Sequence, residues 1–352
     1  MGGLAKITTS IVLSVLALQA LSQNLSFISG KVIDSQTKEP LPYAAVYLAK
    51  TTIGTATFAD GTFFLDKIPP GKFDVSVSML GYSTYSKSIL FSHTTIEGLV
   101  IELESQSKEL DAVTILDSKI KRSKNAFSEF KKYFLGETRN AFFCEILNPK
   151  DVFTYKQDRK LIALTSSSQP IEIINKVLGY KIIYDLKEFE VNNKLGKITT
   201  SGIPRFEELI PENSHQREKW EYERDRAYYG SFEHFLRSLL KNELAQNFFV
   251  MKNYHEKPVQ ANEIIKGNII AVKGLLYVTY TKESSEFQIN RHSYSVQNSL
   301  IEFSGEPITI FENGNFEEFH NLVLYGYFGW SSHIGELLPF GYQPIHDIKS
   351  IK

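Results

Sequence analysis

The first third of the chain consists of short stretches in which apolar and polar residues alternate, separated by turn residues. The predicted strands lie at 26–34, 44–50, 51–58, 62–65, 73–79 and 96–103. A period of two places alternate side chains on opposite faces of a sheet. Several short strands at this spacing predict an all-β sandwich.

Turn residues mark the ends of these strands. Asp60 and Gly61 form the D-G pair that is typical of a tight hairpin, so we predict that 55–58 and 62–65 pair across it. A Pro-Pro-Gly sequence at 69–71 predicts a second turn before the next strand.

Beyond residue 126 the pattern mixes helices with strands. A helix is predicted at 127–135, ending at Gly136, and two more at 215–229 and 232–244, capped by Ser214 and Ser231. A closing helix is predicted at 329–338. Strands are predicted at 142–147, 152–156, 160–165, 178–191, 248–251, 268–272, 275–281, 300–303, 308–311 and 321–327. The fold class is therefore mainly β: a β-sandwich followed by a strand-rich α+β domain with a helical insert.

The N-terminus predicts export. Lys6 precedes an apolar run at 11–18, and the small residues Ala20 and Ser22 suit cleavage before Gln23, as in a secretory signal peptide. The alternative is an N-terminal membrane anchor, but the run is shorter than the ~20 residues that span a bilayer. We expect the mature chain in the periplasm, at the outer membrane or at the cell surface, with no transmembrane helix.

These patterns divide the chain into four segments. They are a signal peptide at 1–22, a β-sandwich at 23–115, a linker at 116–126 and the α+β domain at 127–352.

Composition narrows the class of protein. Cys144 is the only cysteine, so the 352-residue chain cannot form an internal disulfide, and its apolar surroundings predict a buried, inert thiol. The net charge is −1, so the chain lacks the excess of basic residues that is typical of nucleic-acid-binding proteins. We expect no nucleic-acid partner and no cofactor.

The first domain resembles the carboxypeptidase-regulatory-like domain, whose fold is a transthyretin-like β-sandwich. The resemblance covers roughly residues 26–104. It rests on the segments 28–34, 42–48, 59–65, 68–71 and 80–82, which follow the order of the family's motifs. The segment 110–115 is similar to the one that follows this domain ahead of TonB-dependent outer-membrane receptors. The resemblance implies an exported protein of Gram-negative bacteria, with a C-terminal domain of unknown function.

Two H-x-x-E pairs have the spacing that metallocarboxypeptidases use for two zinc ligands. They are His215 with Glu218, and His333 with Glu336. We expect both pairs in helices, where residues three apart share a face whatever their function. The prediction is therefore no metal site, with these four residues as the only candidates.

Aromatic and basic residues supply the other candidate site. The charge-rich segment 217–226 predicts either a solvated, self-paired helix face or part of a cleft for an anion or glycan. The cleft residues would be Arg217, Trp220, Arg224 and His234, with Arg139, Asn140, Arg237 and Ser238 as weaker candidates. Tyr82 and Tyr85 could form an exposed aromatic platform on the sandwich.

These observations favour a non-catalytic cell-envelope protein that binds a protein or glycan partner through the sandwich and the second domain. The alternative is a hydrolase, metallopeptidase-like or glycan-active, with its site in the second domain. A third hypothesis is an accessory of a TonB-dependent receptor system, because of the segment 110–115.

Overall fold

The structure is a computed structural model. It describes residues 26–92, 95–105, 124–157, 159–165, 169–282, 287–289, 292–294, 296–317 and 319–350. The predicted signal peptide and the segment 110–115 lie outside these residues, as does most of the predicted linker.

The N-terminal domain is a β-sandwich, as predicted. One sheet has the order β4-β1-β7, and the other has the order β3-β2-β5-β6. The strands are β1 Ser26–Asp34, β2 Ala45–Leu48, β3 Gly54–Ala56, β4 Thr62–Ile68, β5 Gly71–Ser78, β6 Tyr85–Phe91 and β7 Ile96–Leu103. The inward side chains of both sheets form one buried cluster that includes Ile28, Val32, Phe63, Phe73 and Ile101. Alternation therefore located this core correctly.

The D-G turn forms, but the predicted hairpin pairing across it is wrong. Gly61 has φ +77°, and the Phe58 N–H donates to the Thr62 carbonyl at 2.7 Å. However, β3 pairs with β2, whereas β4 pairs with β1. The chain crosses from one sheet to the other at this turn, because β3 and β4 cover opposite sides of the same core. Strand β6 was not predicted, since its exposed polar residues hide the alternation.

The second domain opens with two helices and a six-stranded sheet. Helix α1, Lys124–Leu135, begins inside the predicted linker 116–126 and packs Phe130 against Phe189, with ring centroids 4.8 Å apart. The other elements are α2 Arg139–Phe142, β8 Cys144–Ile146, β9 Val152–Gln157, β10 Lys160–Thr165, β11 Ile171–Asn175, β12 Tyr180–Asn192 and β13 Lys197–Glu208. The sheet order is β8-β11-β12-β10-β9, and β13 also pairs with β12. Strands β11 and β13 were not predicted.

A helical insert and a second, four-stranded sheet follow. The sheet order is β14-β17-β20-β22, with two small sheets, β15-β16-β21 and β18-β19. The elements are α3 Ser214–Tyr228, α4 Phe232–Leu240, β14 Phe249–Asn253, α5 Ala261–Ile264, β15 Ile265–Lys266, β16 Ile269–Ile270, β17 Lys273–Tyr280, β18 Phe287–Ile289, β19 His292–Tyr294, β20 Gln297–Ser304, β21 Ile308–Thr309, β22 Leu322–Gly326 and α6 Tyr327–Ser331. Short 3-10 turns lie at Pro149–Asp151, Phe319–Asn321 and Ile334–Glu336. Helix α4 packs Phe235 against Phe249 of the four-stranded sheet.

Two helix predictions in this region need correction. The second helix of the insert ends at Leu240 instead of 244, because Asn242 adopts a left-handed conformation with φ +57°. The predicted closing helix 329–338 is wrong: α6 ends at Ser331 and a 3-10 turn follows. The hydroxyl of Ser332 donates to the Phe328 carbonyl at 2.7 Å, and such local bonds compete with helix continuation.

The sandwich is joined to the second domain by backbone hydrogen bonds at one loop. The Lys50 N–H donates to the Pro204 carbonyl at 2.6 Å, and the Phe206 N–H donates to the Thr51 carbonyl at 3.0 Å. Because Pro204 and Phe206 lie on β13, the loop is hydrogen-bonded to the free edge of that strand. The Lys50 carbonyl also accepts the Phe340 N–H at 2.6 Å.

A second loop of the sandwich contacts the four-stranded half of the domain. The Lys72 carbonyl accepts side-chain N–H groups of Asn313 and Asn315, at 3.3 and 3.2 Å. The Lys72 ammonium group forms an ion pair with Glu317. These contacts at two separate loops orient the sandwich relative to the second domain.

Candidate functional site: a groove beside helix α3

The local sequence defines where α3 begins. The Asn213 side chain accepts the Gln216 N–H at 2.9 Å, so Asn213 is the N-cap, one residue before the predicted Ser214. The Glu212 N–H donates to the Gln216 side-chain oxygen at 2.6 Å. The first turn of α3 is thereby closed and its residues have defined positions.

A groove of about 410 Å³ lies between this turn, helix α2 and the turn after β11. It brings together side chains from three distant parts of the chain. The lining residues are Arg139, Phe143, Lys176, Val177, Glu212, Asn213, His215, Gln216, Lys219 and Trp220. Among the predicted candidates, Arg139, His215 and Trp220 are in this set.

Trp220 and Arg224 support the turn at 176–179, whose residues Lys176 and Val177 line the groove. The Trp220 indole N–H donates to the Lys176 carbonyl at 3.0 Å, and Arg224 Nε donates to the Leu178 carbonyl at 2.7 Å. The Arg224 guanidinium lies 4.0 Å from the centroid of the Tyr180 ring. Both side chains therefore hold the turn at 176–179 in place, and Arg224 does not reach the groove.

Gly179 allows this close packing. Its φ is +68°, and an added Cβ atom would lie 2.3 Å from the Trp220 ring. Only glycine tolerates both the left-handed backbone and the contact with the indole.

Three other predicted candidates lie elsewhere. His234 is buried: its Nδ1 accepts the Gly230 N–H at 3.1 Å, and its Nε2 faces the Asn247 side-chain oxygen at 3.3 Å. Burial lowers the pKa of His234 to about 4, so the imidazole is neutral near pH 7. Arg217 is exposed on α3, outside the groove lining. Arg237 is buried and donates to the Tyr342 carbonyl at 2.7 Å.

The charges of the groove are partly paired. Arg139 forms an ion pair with Glu223 at 3.0 Å, and Lys176 forms one with Glu145 at 2.8 Å. Lys219 lies exposed on α3. With Arg139 and Lys176 it makes three basic side chains in the lining of the groove, which also contains one carboxylate, Glu212. Phe143 adds an aromatic ring that is 54% exposed. This arrangement suits a ligand with both an apolar face and polar or acidic groups.

The H-x-x-E pairs occupy different settings. His215 and Glu218 are exposed on the first turns of α3. His333 precedes the 3-10 turn, and its Nδ1 lies 3.1 Å from the Trp330 carbonyl. Glu336 accepts a hydrogen bond from the Asn140 amide at 2.9 Å. Among the described residues, no group of three His, Cys, Asp or Glu side chains is placed to hold a metal ion.

Burial changes the chemistry of two groups near helix α2. It raises the pKa of Glu336 to about 7 and the pKa of the Cys144 thiol to about 12. Cys144 is buried and free, which confirms its predicted burial. A thiol with this pKa is a poor nucleophile near pH 7.

The predicted aromatic platform on the sandwich does not form as expected. Tyr82 and Tyr85 are partly buried and pack against the sandwich core. The Tyr82 hydroxyl donates to Asp34 at 3.0 Å.

Sequence reasoning missed most of the groove. Phe143, Lys176 and Lys219 were not singled out, because each is an ordinary residue in its own segment. Only the turn after β11 and the register of α3 bring them together. A basic residue one position before Trp220 was the available signal for Lys219.

The N-terminal domain matches a known family. Residues 28–115 match the model of the CarboxypepD_reg-like domain. That segment is therefore a CarboxypepD_reg-like domain, as the resemblance implied. No curated protein sequence matches the chain. Within the described residues, no helix is long and apolar enough to cross a membrane.

Solved structures show only distant similarity. A group B streptococcus pilus 2b backbone protein is 16% identical, with a TM-score of 0.20, over 23% of this chain and 42% of its own. The chain thus spans less than half of that protein. A DUF3823 family protein from Bacteroides ovatus is 11% identical, with a TM-score of 0.19, over 53% of this chain and 82% of its own. A candidate carbohydrate binding protein from Bacteroides uniformis is 7% identical, with a TM-score of 0.20, over 86% of this chain and 98% of its own. TM-scores this low transfer no function.

Proposed function

We propose that this chain is a non-catalytic binding protein of the cell envelope, which recognises a protein or glycan partner at the groove beside α3. The observation that carries the proposal is the groove itself, where Phe143 and Lys219 stand exposed beside the buried Trp220. The turn at 176–179 is held by Trp220 and Arg224, so the backbone on this side of the groove needs little ordering when a ligand binds.

The cellular setting of this proposal comes from the sequence. The predicted signal peptide at 1–22 directs the chain to the periplasm, the outer membrane or the cell surface. A TonB-dependent receptor system is one partner class, because the segment 110–115 resembles the one that precedes such receptors.

Charge reversal at the groove tests the proposal. The mature chain, 23–352, would be immobilised and exposed to a panel of neutral and acidic glycans and to solubilised envelope proteins. The double variant Lys176→Glu/Lys219→Glu should retain its specific ligand at least tenfold less well than the parent chain.

A matched control separates this effect from a general charge effect. Lys194→Glu/Lys197→Glu makes the same change at two exposed residues, one in the β12–β13 turn and one at the start of β13. If both double variants bind alike, or if the parent chain retains nothing from the panel, the groove is not the binding site.

The alternative, a hydrolase, is supported by one observation. Burial raises the pKa of Glu336 to about 7, so this carboxyl group has the protonation state of a general acid near neutral pH, but it bonds to Asn140 outside the groove and a substrate would have to displace that contact. Glu336→Gln should abolish cleavage of peptide or polysaccharide substrates if this function is real. Equal activity with and without a chelator, and after Glu218→Gln, would exclude the zinc version.

A further inference from the structure

The outer face of the sheet β14-β17-β20-β22 carries a straight row of side chains. Lys252 pairs with Tyr277, Tyr277 with Leu300, and Leu300 with Tyr325. Directly opposite residues of an antiparallel sheet share a face. On β17 and β20 the residues on either side of this row are buried, so the row lies on the outer face.

The two tyrosines of the row are exposed at a defined spacing. Tyr277 is 39% exposed and Tyr325 is 44% exposed. They lie two strands apart, which corresponds to about 9.5 Å. Leu300 lies between them on β20 and provides an apolar surface. The spacing is comparable to the length of a disaccharide unit in an extended sugar chain.

The ring of Tyr325 is held along the sheet surface. Its hydroxyl donates to Glu302 Oε2 at 2.8 Å. Glu302 pairs with Val323, and is therefore diagonal to Tyr325 across β20 and β22. A tyrosine that reaches a diagonal neighbour leans over the sheet, so its π face is turned toward solvent. This orientation exists before any ligand binds.

Hydrogen-bonding groups flank the row. On one side Thr279 donates its hydroxyl to Asn298 Oδ1 at 2.9 Å, which leaves the amide NH₂ of Asn298 to act as a donor. On the other side is the Glu302 carboxylate, and Lys252 ends the row. The polar groups therefore lie at the edges of an aromatic strip.

We propose that this face binds an extended, neutral, β-linked pyranose chain, laid across the strands with sugar rings on Tyr277 and Tyr325. The C–H groups of a pyranose face pack on the π face of a tyrosine, and its equatorial hydroxyls reach the flanking polar groups. The site is separate from the groove beside α3 and does not depend on it.

The charge of the face favours an uncharged ligand. Charges of both signs lie on this face, Lys252 and Lys273 against Glu302, so a strongly acidic or a strongly basic chain meets a like charge. Asn298 and Thr279 can bond to hydroxyl groups without either carrying a charge.

The size of the face argues against a protein partner. Four strands about 4.8 Å apart, two of five residues and two of eight, offer a projected area of roughly 400 Å². A stable protein interface buries about 800 Å² on each partner. A single sugar chain needs only the strip along the tyrosine row.

Affinity electrophoresis of the mature chain tests the proposal directly. Native gels would contain hydroxyethylcellulose, soluble xylan, dextran or polygalacturonate. We expect retardation by hydroxyethylcellulose or xylan, and at least tenfold weaker binding by Tyr277→Ala and Tyr325→Ala. Tyr325→Phe keeps the ring and should lose threefold or less. Tyr254→Ala changes an exposed tyrosine outside the row, 67% exposed, and should bind normally.

The other outcomes overturn the proposal. They are no retardation by any neutral β-linked polymer, retardation by polygalacturonate alone, and unchanged binding by both tyrosine variants. A dimer in light scattering that dissociates with Tyr277→Ala would make the face a protein interface. Should one alanine variant fail to fold, the other still decides.

The groove variant separates this inference from the proposed function. Lys176→Glu/Lys219→Glu should be retarded like the parent chain. If it alone loses sugar binding, the sugar occupies the groove, and the inference fails while the proposed function stands.

Discussion

The two halves of α3 have similar charged residues and opposite roles. In the first half, His215 and Lys219 are exposed at the rim of the groove. In the second half, Glu223, Arg224 and Asp225 are buried. The difference comes from the rest of the chain, which supplies hydrogen-bond partners to the buried charged side chains of the second half. A charge-rich helix can therefore be a binding surface at one end and a structural anchor at the other.

Asp225, in the second half of α3, accepts several hydrogen bonds from the C-terminal segment. It is fully buried and accepts hydrogen bonds from the Tyr342 hydroxyl and from the Ile345 and His346 N–H groups. The His346 ring bonds to the same carboxylate at 2.6 Å. One carboxylate thus holds the C-terminal segment 342–346 against α3.

The largest effect is expected from removing this carboxylate. Asp225→Ala removes a fully buried carboxylate that accepts four hydrogen bonds from the C-terminal segment, and should lower the free energy of unfolding by about 3–5 kcal/mol. Urea unfolding measures the loss. The control Glu218→Ala, in the exposed half, should change it by less than about 0.5 kcal/mol. A loss below about 1 kcal/mol for Asp225→Ala would contradict the comparison.

The next effect depends on pH and contrasts a buried histidine with an exposed one. The folded pKa of His234 is about 4, below its ordinary value of 6.5. Between these values the unfolded chain binds a proton that the folded chain does not. The stability contributed by neutral His234 is therefore present above pH 6.5 and is lost as pH falls to 4, by about 3 kcal/mol.

Unfolding measured from pH 7.5 to 4.5 checks this contribution. His234→Gln should flatten the acid side of the stability curve, whereas His215→Gln should leave it as in the parent chain. If the unfolding free energy falls equally steeply with decreasing pH in the parent chain and in His234→Gln, this histidine does not cause the loss of stability in acid.

A smaller loss of unfolding free energy is expected from the turn at 176–179, which Arg224 supports. Arg224→Lys removes the fork that bonds the Leu178 carbonyl and stacks on Tyr180, and should cost about 2 kcal/mol. Arg217→Lys, on the exposed side, is the matched control and should be neutral. Thermal unfolding of both variants distinguishes them, and equal melting temperatures would mean that the turn is held by Trp220 alone.

The smallest effect on stability should come from the rim. Lys219→Glu should change the unfolding free energy by no more than about 0.5 kcal/mol, because the side chain is exposed. Its effect should be on ligand affinity instead. Destabilisation by more than about 1 kcal/mol would show that Lys219 stabilises the fold, as the buried residues in the second half of α3 do.

Local patterns predicted the fold better than the site. Strand β1 and the helix end at Gly136 follow from alternation and from a residue that tolerates φ +97°. Strand β13 escaped prediction because its exposure pattern is irregular, and its position depends on pairing with β12. The groove was only partly predicted, since Trp220 was recognised as a candidate but Phe143 and Lys176 were not.

The order of apolar and polar residues by itself determined that the chain starts with a β-sandwich and continues as a strand-rich domain with helices. Periodicity and turn chemistry depend on residues that are close in the chain, so strands, helices and turns can be predicted from the sequence. Only the tertiary structure decided that the D-G turn joins two sheets, and that Arg224 and Asp225 are buried while Lys219 is not. A charged side chain is buried only where distant residues satisfy it, and His346, 121 positions from Asp225, is such a partner.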